Sequence, residues 1–263
     1  KRIPLVGNGP RNLSISKGKL YIPTYFSDTL NIVDIATEAV TAIALNPDRK
    51  ENTEQTGERV FNDASYCYQN WQSCNGCHPS DARTDAMNWD LMNDGIGNPK
   101  NCKSLLYSHV TPPSMITGIR ANAEVAVHAG FKFIQFSDIA PDLLMSVNTY
   151  LKSLRPLPSP YLVDGRLSEK AVAGSRSFTK FGCDNCHSGE YFTDMRKHQI
   201  GEGVEFEAGW DTPTLIEVWR TAPYLFDGRA ATLKEVFSVY KHGLDAKISE
   251  KEIDELTEYI NSL

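Results

Sequence analysis

Two copies of Cys-x-x-Cys-His lie in this chain, Cys74-Asn75-Gly76-Cys77-His78 and Cys183-Asp184-Asn185-Cys186-His187. The spacing is the one that covalent attachment of a c-type haem requires. Two thiols add across the vinyl groups of the porphyrin, and the adjacent imidazole sits beneath the iron as its proximal ligand. Two covalently bound c-type haems are therefore expected. A zinc site would want a further pair of Cys or His at ribbon or finger spacing, and a thiol redox pair would want a strand-to-helix setting. Neither copy has them.

The two motifs belong to a repeat. Cys74, Cys77 and His78 map onto Cys183, Cys186 and His187 with an offset of 109, and the same offset carries Ile139 onto Ile248, Tyr150-Leu151 onto Tyr259-Ile260 and Ser153-Leu154 onto Ser262-Leu263. Both closing segments read as amphipathic helices. Thr111-Pro112-Pro113-Ser114-Met115-Ile116-Thr117-Gly118 answers Thr221-Ala222-Pro223-Tyr224-Leu225-Phe226-Asp227-Gly228 with the offset slipped by one residue. Upstream, Gly57-Glu58-Arg59-Val60-Phe61 resembles Gly174-Ser175-Arg176-Ser177-Phe178, with eight extra residues in the first half that include Cys67. A period near one hundred residues means tandem domains rather than a solenoid. Arg155-Pro156-Leu157-Pro158-Ser159-Pro160 separates them, because proline cannot propagate a helix and favours a stiff, extended connection.

At 263 residues and 41% hydrophobic, the chain can fill two or three small cores, and no apolar run is long enough to span a bilayer. The formal charge of −6 argues against a nucleic-acid partner and leaves the redox partner open. Haem attachment of this kind happens outside the reducing cytoplasm, so a periplasmic or cell-surface location is expected, with the export signal upstream of Lys1.

Residues 1–50 are different material. Lys19-Leu20-Tyr21-Ile22-Pro23, Thr29-Leu30-Asn31-Ile32-Val33-Asp34 and Ala39-Val40-Thr41-Ala42-Ile43-Ala44-Leu45 read as three short strands separated by turn residues. The wording resembles one repeat of a YVTN-type β-propeller. A lone blade cannot bury both faces of its sheet, so the resemblance implies a piece of a longer chain or a complex with a propeller; the alternative is a sheet packed on the first haem domain.

The remaining axial ligands decide whether the haems carry electrons or do chemistry. After His187 the only methionine is Met195, eight residues on and too near the attachment motif to reach the opposite face, which leaves Tyr240, His242 and His198 for the second haem. For the first haem the candidates are His109, His128, Met115 or an open position where a small molecule such as peroxide could bind.

Thr212-Pro213-Thr214-Leu215 followed by Thr221-Ala222-Pro223-Tyr224-Leu225-Phe226-Asp227-Gly228-Arg229-Ala230-Ala231-Thr232-Leu233-Lys234-Glu235-Val236 resembles a stretch specific to the bacterial di-haem cytochrome c peroxidases and the related methylamine-utilisation protein MauG. With both haem motifs in order, the resemblance covers about residues 57–263. It implies two helical cytochrome c domains, one haem passing electrons and the other meeting substrate. Tyr240 falls where the peroxidases place a methionine on the second haem, which is the MauG-like choice, and a phenolate there stabilises ferric iron. The family also holds a calcium ion between its domains, and the matching positions are Asn101, Thr221 and Pro223, oxygen donors that suit a hard cation.

The first half departs from the family. Ile116-Thr117-Gly118-Ile119-Arg120 lacks the tryptophan that lies between the haems, and no histidine occurs near Asn93 to Gly95, where the peroxidases' distal His would fall. His128 follows Glu124-Val125 much as Tyr240 follows Glu235-Val236, and His109 lies just ahead of the Thr111-Pro112-Pro113 loop. Either could stand on the distal side of the first haem, as a ligand or as the acid–base group that peroxide cleavage needs. Cys67 and Cys102 remain after haem attachment, and in an oxidising compartment a disulfide between them is expected ahead of two free thiols.

The expected architecture is mainly α: a β segment over residues 1–50, a first c-type haem domain over 57–155, a proline-rich linker over 156–167 and a second haem domain over 168–263. The expected function is that of a di-haem c-type oxidoreductase of the cytochrome c peroxidase/MauG type. The haem on Cys183, Cys186 and His187 takes electrons from a small redox protein or other donor, and the haem on Cys74, Cys77 and His78 reacts with peroxide or substrate. The alternative is a non-catalytic electron-transfer module attached to a β-propeller binding domain.

Overall fold

The structure is a computed structural model that describes residues 2–90, 99–200, 209–244 and 246–263. It opens with a four-stranded antiparallel meander, β1 (Ser14–Ser16), β2 (Lys19–Thr24), β3 (Thr29–Asp34) and β4 (Val40–Ala44), in the order β1-β2-β3-β4. Register places Leu20 and Val40 on either side of Val33. Period-two burial on β3, with Thr29, Asn31 and Val33 inside, fixes which face points inward. Asn31 is fully buried and pairs like a strand residue: its Oδ1 accepts from the Val6 amide at 2.9 Å and its Nδ2 donates to the Val6 carbonyl at 3.0 Å. Gly18, at φ +72°, supplies the left-handed residue of the β1–β2 turn, and the Asp34 carboxylate closes the β3–β4 turn by accepting from Ala36 and Thr37. The sequence suggested three strands; β1 is the fourth.

The helices are α1 (Thr53–Asn62), the single turns α2 (Cys74–Cys77) and α3 (Pro79–Ala82), then α4 (Ala123–Phe133), α5 (Pro141–Ser153), α6 (Glu169–Lys180), α7 (Leu233–Ser238) and α8 (Glu250–Asn261). Two-residue hairpins, β5 (Asn88–Trp89) with β6 (Lys100–Asn101) and β7 (Lys197–His198) with β8 (Trp210–Asp211), complete the regular elements. Caps mark where the long helices begin. Asn52 with Gln55 and Ser249 with Glu252 form capping boxes on α1 and α8, and Asn122 and Ser168 accept from the first turns of α4 and α6.

The expectation of a mainly α chain of two helical cytochrome c domains is corrected. About 36% of the chain is helical and 14% is strand, with the antiparallel sheet at its N-terminal end. The shortfall in helix falls between each haem motif and its closing helix. In the described parts of those stretches, isolated turns and the two hairpins satisfy the backbone through carbonyl and side-chain bonds, as where the Met87 amide donates to the Asp85 carboxylate and the Met195 amide to the Thr193 hydroxyl.

Two cores follow the sequence repeat. In the first, Val60, Phe61, Leu106, Phe131, Val147 and Leu151 pack between α1, α4 and α5; in the second, Phe178, Val236, Phe237, Ile253, Leu256 and Ile260 pack between α6, α7 and α8. The equivalence reaches single atoms. Phe61 meets Tyr150 with ring centroids 5.4 Å apart, and Phe178 meets Tyr259 at 5.4 Å. Each helix pair crosses at a glycine: a Cβ on Gly57 would stand 1.9 Å from the Ser146 carbonyl oxygen, and one on Gly174 would stand 1.9 Å from that of Glu255.

The halves meet through reciprocal bonds. The Asn101 amide donates to the Phe226 carbonyl at 2.7 Å and the Asp211 amide to the Ile116 carbonyl at 3.0 Å, two pairs related by an offset of 110. A Lys103–Asp211 ion pair at 2.7 Å and a buried Arg83–Glu217 pair at 2.6 Å add charge to this junction. No helix among the described residues is long and apolar enough to cross a membrane.

Candidate functional site

Each Cys-x-x-Cys-His segment folds into one tight turn. The His78 amide donates to the Cys74 carbonyl at 2.9 Å and the His187 amide to the Cys183 carbonyl at 2.9 Å, so the ring follows directly on the turn that bears both thiols. The rings are then oriented in the same way. His78 Nδ1 lies 3.2 Å from the Arg83 carbonyl oxygen, and His187 Nδ1 lies 3.2 Å from that of Phe192, in both cases five residues on. A proton on Nδ1 satisfies the carbonyl and leaves the Nε2 lone pair for a metal, the arrangement that makes a histidine a good ligand. Burial pushes both imidazoles below their ordinary value, which keeps them neutral.

The thiols are protonated and sheltered. Burial pushes Cys74 up to about 12 and Cys77 and Cys183 up to about 11. Gln135 Nε2 contacts Cys74 Sγ at 3.1 Å, while its Oε1 is buried without a partner. Gln135 escaped the sequence reading because a lone glutamine at the end of a helix carries no spacing signal. Cys74, Cys77 and His78 in one turn, and Cys183, Cys186 and His187 in the other, fit the donor set of a covalently attached haem.

The distal candidates separate by environment. Tyr240 is 39% exposed, and its hydroxyl donates to the Arg229 carbonyl at 2.8 Å. Burial depresses the His242 imidazole to about 4, and the nearby His187 adds to the shift, so His242 lies within the electrostatic reach of the proximal ring. His198 is paired with Asp194 at 2.7 Å. On the first half, His109 Nε2 lies 2.8 Å from Asn148 Oδ1 on α5, and its Nδ1 lies 3.4 Å from Ser108 Oγ. His128 is exposed on α4. The position near Asn93 to Gly95, where a peroxidase distal histidine would fall, lies outside the described residues.

Cys67 and Cys102 are not bridged. Cys67 Sγ donates to the Gln135 carbonyl at 3.4 Å, whereas Cys102 Sγ donates to the Cys77 carbonyl at 3.0 Å and lies 3.5 Å from His78 Nδ1. The expected disulfide gives way because each thiol is fixed by a different carbonyl. At the junction, Asn101 Nδ2 donates to the Pro223 carbonyl at 2.6 Å while Asn101 Oδ1 is buried without a partner. The Thr221 hydroxyl donates to the Val218 carbonyl at 3.1 Å.

An aromatic pair also stands at this junction. Trp210 stacks on Phe226 with centroids 4.2 Å apart and planes 13° from parallel. Sequence reading found no aromatic in the Ile116 region, and Phe226 is its counterpart in the other half. The offset of 110 that links Asn101 to Asp211 was the available signal.

No protein-family profile matches the chain. Hydrazine synthase subunit gamma of Kuenenia stuttgartiensis is 26% identical over a gapped alignment of 277 positions that takes in 81% of this chain and 78% of that protein. A solved chain of the Kuenenia stuttgartiensis hydrazine synthase superposes with a TM-score of 0.69 at 23% identity, covering 86% of this chain and 97% of that one. A MauG-like protein associated with microbial copper homeostasis gives 0.65 at 17% identity over 84% of this chain and 91% of its own. The dihaem peroxidase BthA from Burkholderia thailandensis gives 0.59 at 13%, over 84% and 87%. The fold is thus shared with MauG-like and dihaem peroxidase structures, and these comparisons lend no support to the propeller likeness.

Proposed function

We propose that the chain is an exported di-haem c-type oxidoreductase in which the haem on Cys183, Cys186 and His187 conducts electrons and the haem on Cys74, Cys77 and His78 meets peroxide or another small substrate. One observation carries the reading: both motif histidines are held through Nδ1 by a backbone carbonyl five residues on, at 3.2 Å each. That orientation leaves each Nε2 free to ligate, as a haem-iron ligand requires.

When bound, the haems supply electron storage and a metal at which peroxide can be reduced. The four thiols fix the groups, and the two carbonyls hold each ring in the tautomer that ligates. Tyr240 and His242 are the residues that would hold the second haem's iron together with His187, and His242, half-buried where the Tyr240 phenol is exposed and tied to the Arg229 carbonyl, is the better placed of the two. On the first half, the Asn148 contact holds His109 in place beside Ser108, where it can take or return a proton. His128 is the alternative for that role. The likeness to a subunit of hydrazine synthase supports a setting in which this chain is one part of a larger enzyme, and the donor to the second haem would be a small redox protein or another electron carrier.

Electron paramagnetic resonance of the ferric protein during a peroxide titration tests the assignment. We expect one high-spin signal that peroxide consumes beside one low-spin signal. Two low-spin signals indifferent to peroxide would instead identify an electron-transfer module.

The buried, unpartnered Asn101 Oδ1, two bonds from an amide that already faces the Pro223 carbonyl, fits a hard cation held by Asn101, Thr221 and Pro223 with water completing the shell. Such an ion would tie the halves at their junction. Chelation is expected to lower the melting temperature, and added calcium to restore it. A melting curve indifferent to both would remove the ion from the account.

A further inference from the structure

We propose that Arg83 and Glu217 are a positioning pair through which the second half of the chain sets the proximal hydrogen bond of the first haem. The proposal rests on the haem reading above and goes beyond it by naming what tunes one of the two centres.

Arg83 has two roles at once. Its backbone carbonyl is the acceptor for His78 Nδ1, while its side chain, 3% exposed, reaches the Glu217 carboxylate with Nε 2.6 Å from Oε2. The guanidinium also donates to the carbonyls of Asp81 and of Arg155, the latter at 3.1 Å. Glu217, 1% exposed, is satisfied in turn: Oε1 accepts from the Leu157 amide at 3.3 Å and from Arg220 Nη1 at 3.1 Å. Its own amide donates to the Leu263 carbonyl at 3.1 Å, and its backbone sits at φ +65°. A glutamate in the left-handed region is held there by its surroundings. One buried charge cluster thus joins the first haem motif, the proline-rich connection, the loop ahead of Thr221 and the C-terminal residue.

Among the described residues, the second motif has no such link. Its acceptor carbonyl belongs to Phe192, whose ring packs edge-on against Phe178 with centroids 6.3 Å apart, inside the core of its own half. Two proximal bonds of equal length are therefore anchored differently, one by apolar packing within its half and one by charge from across the junction. A buried ion pair is a costly way to gain stability, and removing one partner leaves the other uncompensated. Its worth here is orientation. A firm Nδ1–H···O bond makes the imidazole a stronger donor and favours ferric iron, so loosening it raises the potential of that haem alone.

Glu217→Gln keeps the side-chain volume and removes the charge. In a redox titration of the holoprotein we expect one of the two reduction steps to move to higher potential while the other stays put. The step that moves should be the one lost or altered in the Cys74→Ala/Cys77→Ala variant. Arg83→Met with Glu217→Leu, an apolar pair of similar volume, guards against a variant that merely misfolds: it should retain both haems and melting temperature and show the same one-sided shift. Both potentials unchanged, or both moved together, in chains carrying two haems overturns the proposal and leaves the haem reading standing. A wild-type chain that binds no haem overturns both.

Discussion

A chain carrying Cys74→Ala with Cys77→Ala is expected to retain one haem through acid-acetone extraction where the unsubstituted chain retains two, a halving of the haemochrome absorbance that remains per polypeptide. The reason lies in how the first centre is built. Both thiols come from the single turn that ends at His78, so attachment at this centre depends on that turn alone. Without the thioethers, His78 and the surrounding core remain, and a haem bound through one imidazole is lost on denaturation in acid acetone, where a covalent one is retained. The second half has its own turn, its own carbonyl anchor on Phe192 and its own core, so its haem should survive. Two haems retained in the double variant, or none, would contradict the reading of the motifs as two independent attachment sites.

Alanine at Gly57 or at Gly174 is expected to destabilise the protein by about 2 kcal/mol, although alanine is the better helix former. The Cβ would stand 1.9 Å from a backbone carbonyl oxygen of the partner helix, Ser146 or Glu255, and about 2.7 to 2.9 Å from the Cβ of Tyr259 or Tyr150. A helix carbonyl cannot rotate aside, so the helices must separate, and a contact this short puts the cost at the upper end of the roughly 1–3 kcal/mol that overpacking takes. The gain of roughly 1 kcal/mol from replacing glycine within a helix offsets only part of it. At roughly 2–4 °C per kcal/mol for a chain of this size, the melting temperature should fall by about 4–8 °C. Gly130 on α4 is the internal control. Nothing lies within 4 Å of its Cβ position, and Gly130→Ala should raise stability by about 0.5–1 kcal/mol. Opposite signs at chemically identical substitutions would isolate the helix crossing as the cause; equal signs would refute it.

The crossing glycines show how far the sequence could be read. Gly57 and Gly174 stand four residues before Phe61 and Phe178 in matching segments, and the closing helices repeat with an offset of 109, so the helix pairs could be located before their contacts were known. Other features had no local sign. The four-stranded sheet showed only three of its strands because Ser14–Ser16 is too short and too exposed for period-two patterning to register. The sequence suggested more helix than there is because the described residues after each haem motif are held largely by turn and side-chain bonds that no periodicity announces. Cys67 and Cys102 suggested a bridge by count, and their separate carbonyl partners deny it.

Sequence alone located the two candidate attachment turns, since two thiols and an imidazole at fixed spacing are a local constellation that one turn of backbone must present together. It also determined the duplication, because equal cores need equal patterns of apolar residues. Tertiary structure decided what distinguishes the two centres: the burial of His242 near His187, the stack of Trp210 on Phe226, and the Arg83–Glu217 pair that joins residues 134 apart. These depend on which surfaces of the two halves face each other. Long-range packing sets that relation, and neither spacing nor composition encodes it in a form that can be read along the chain.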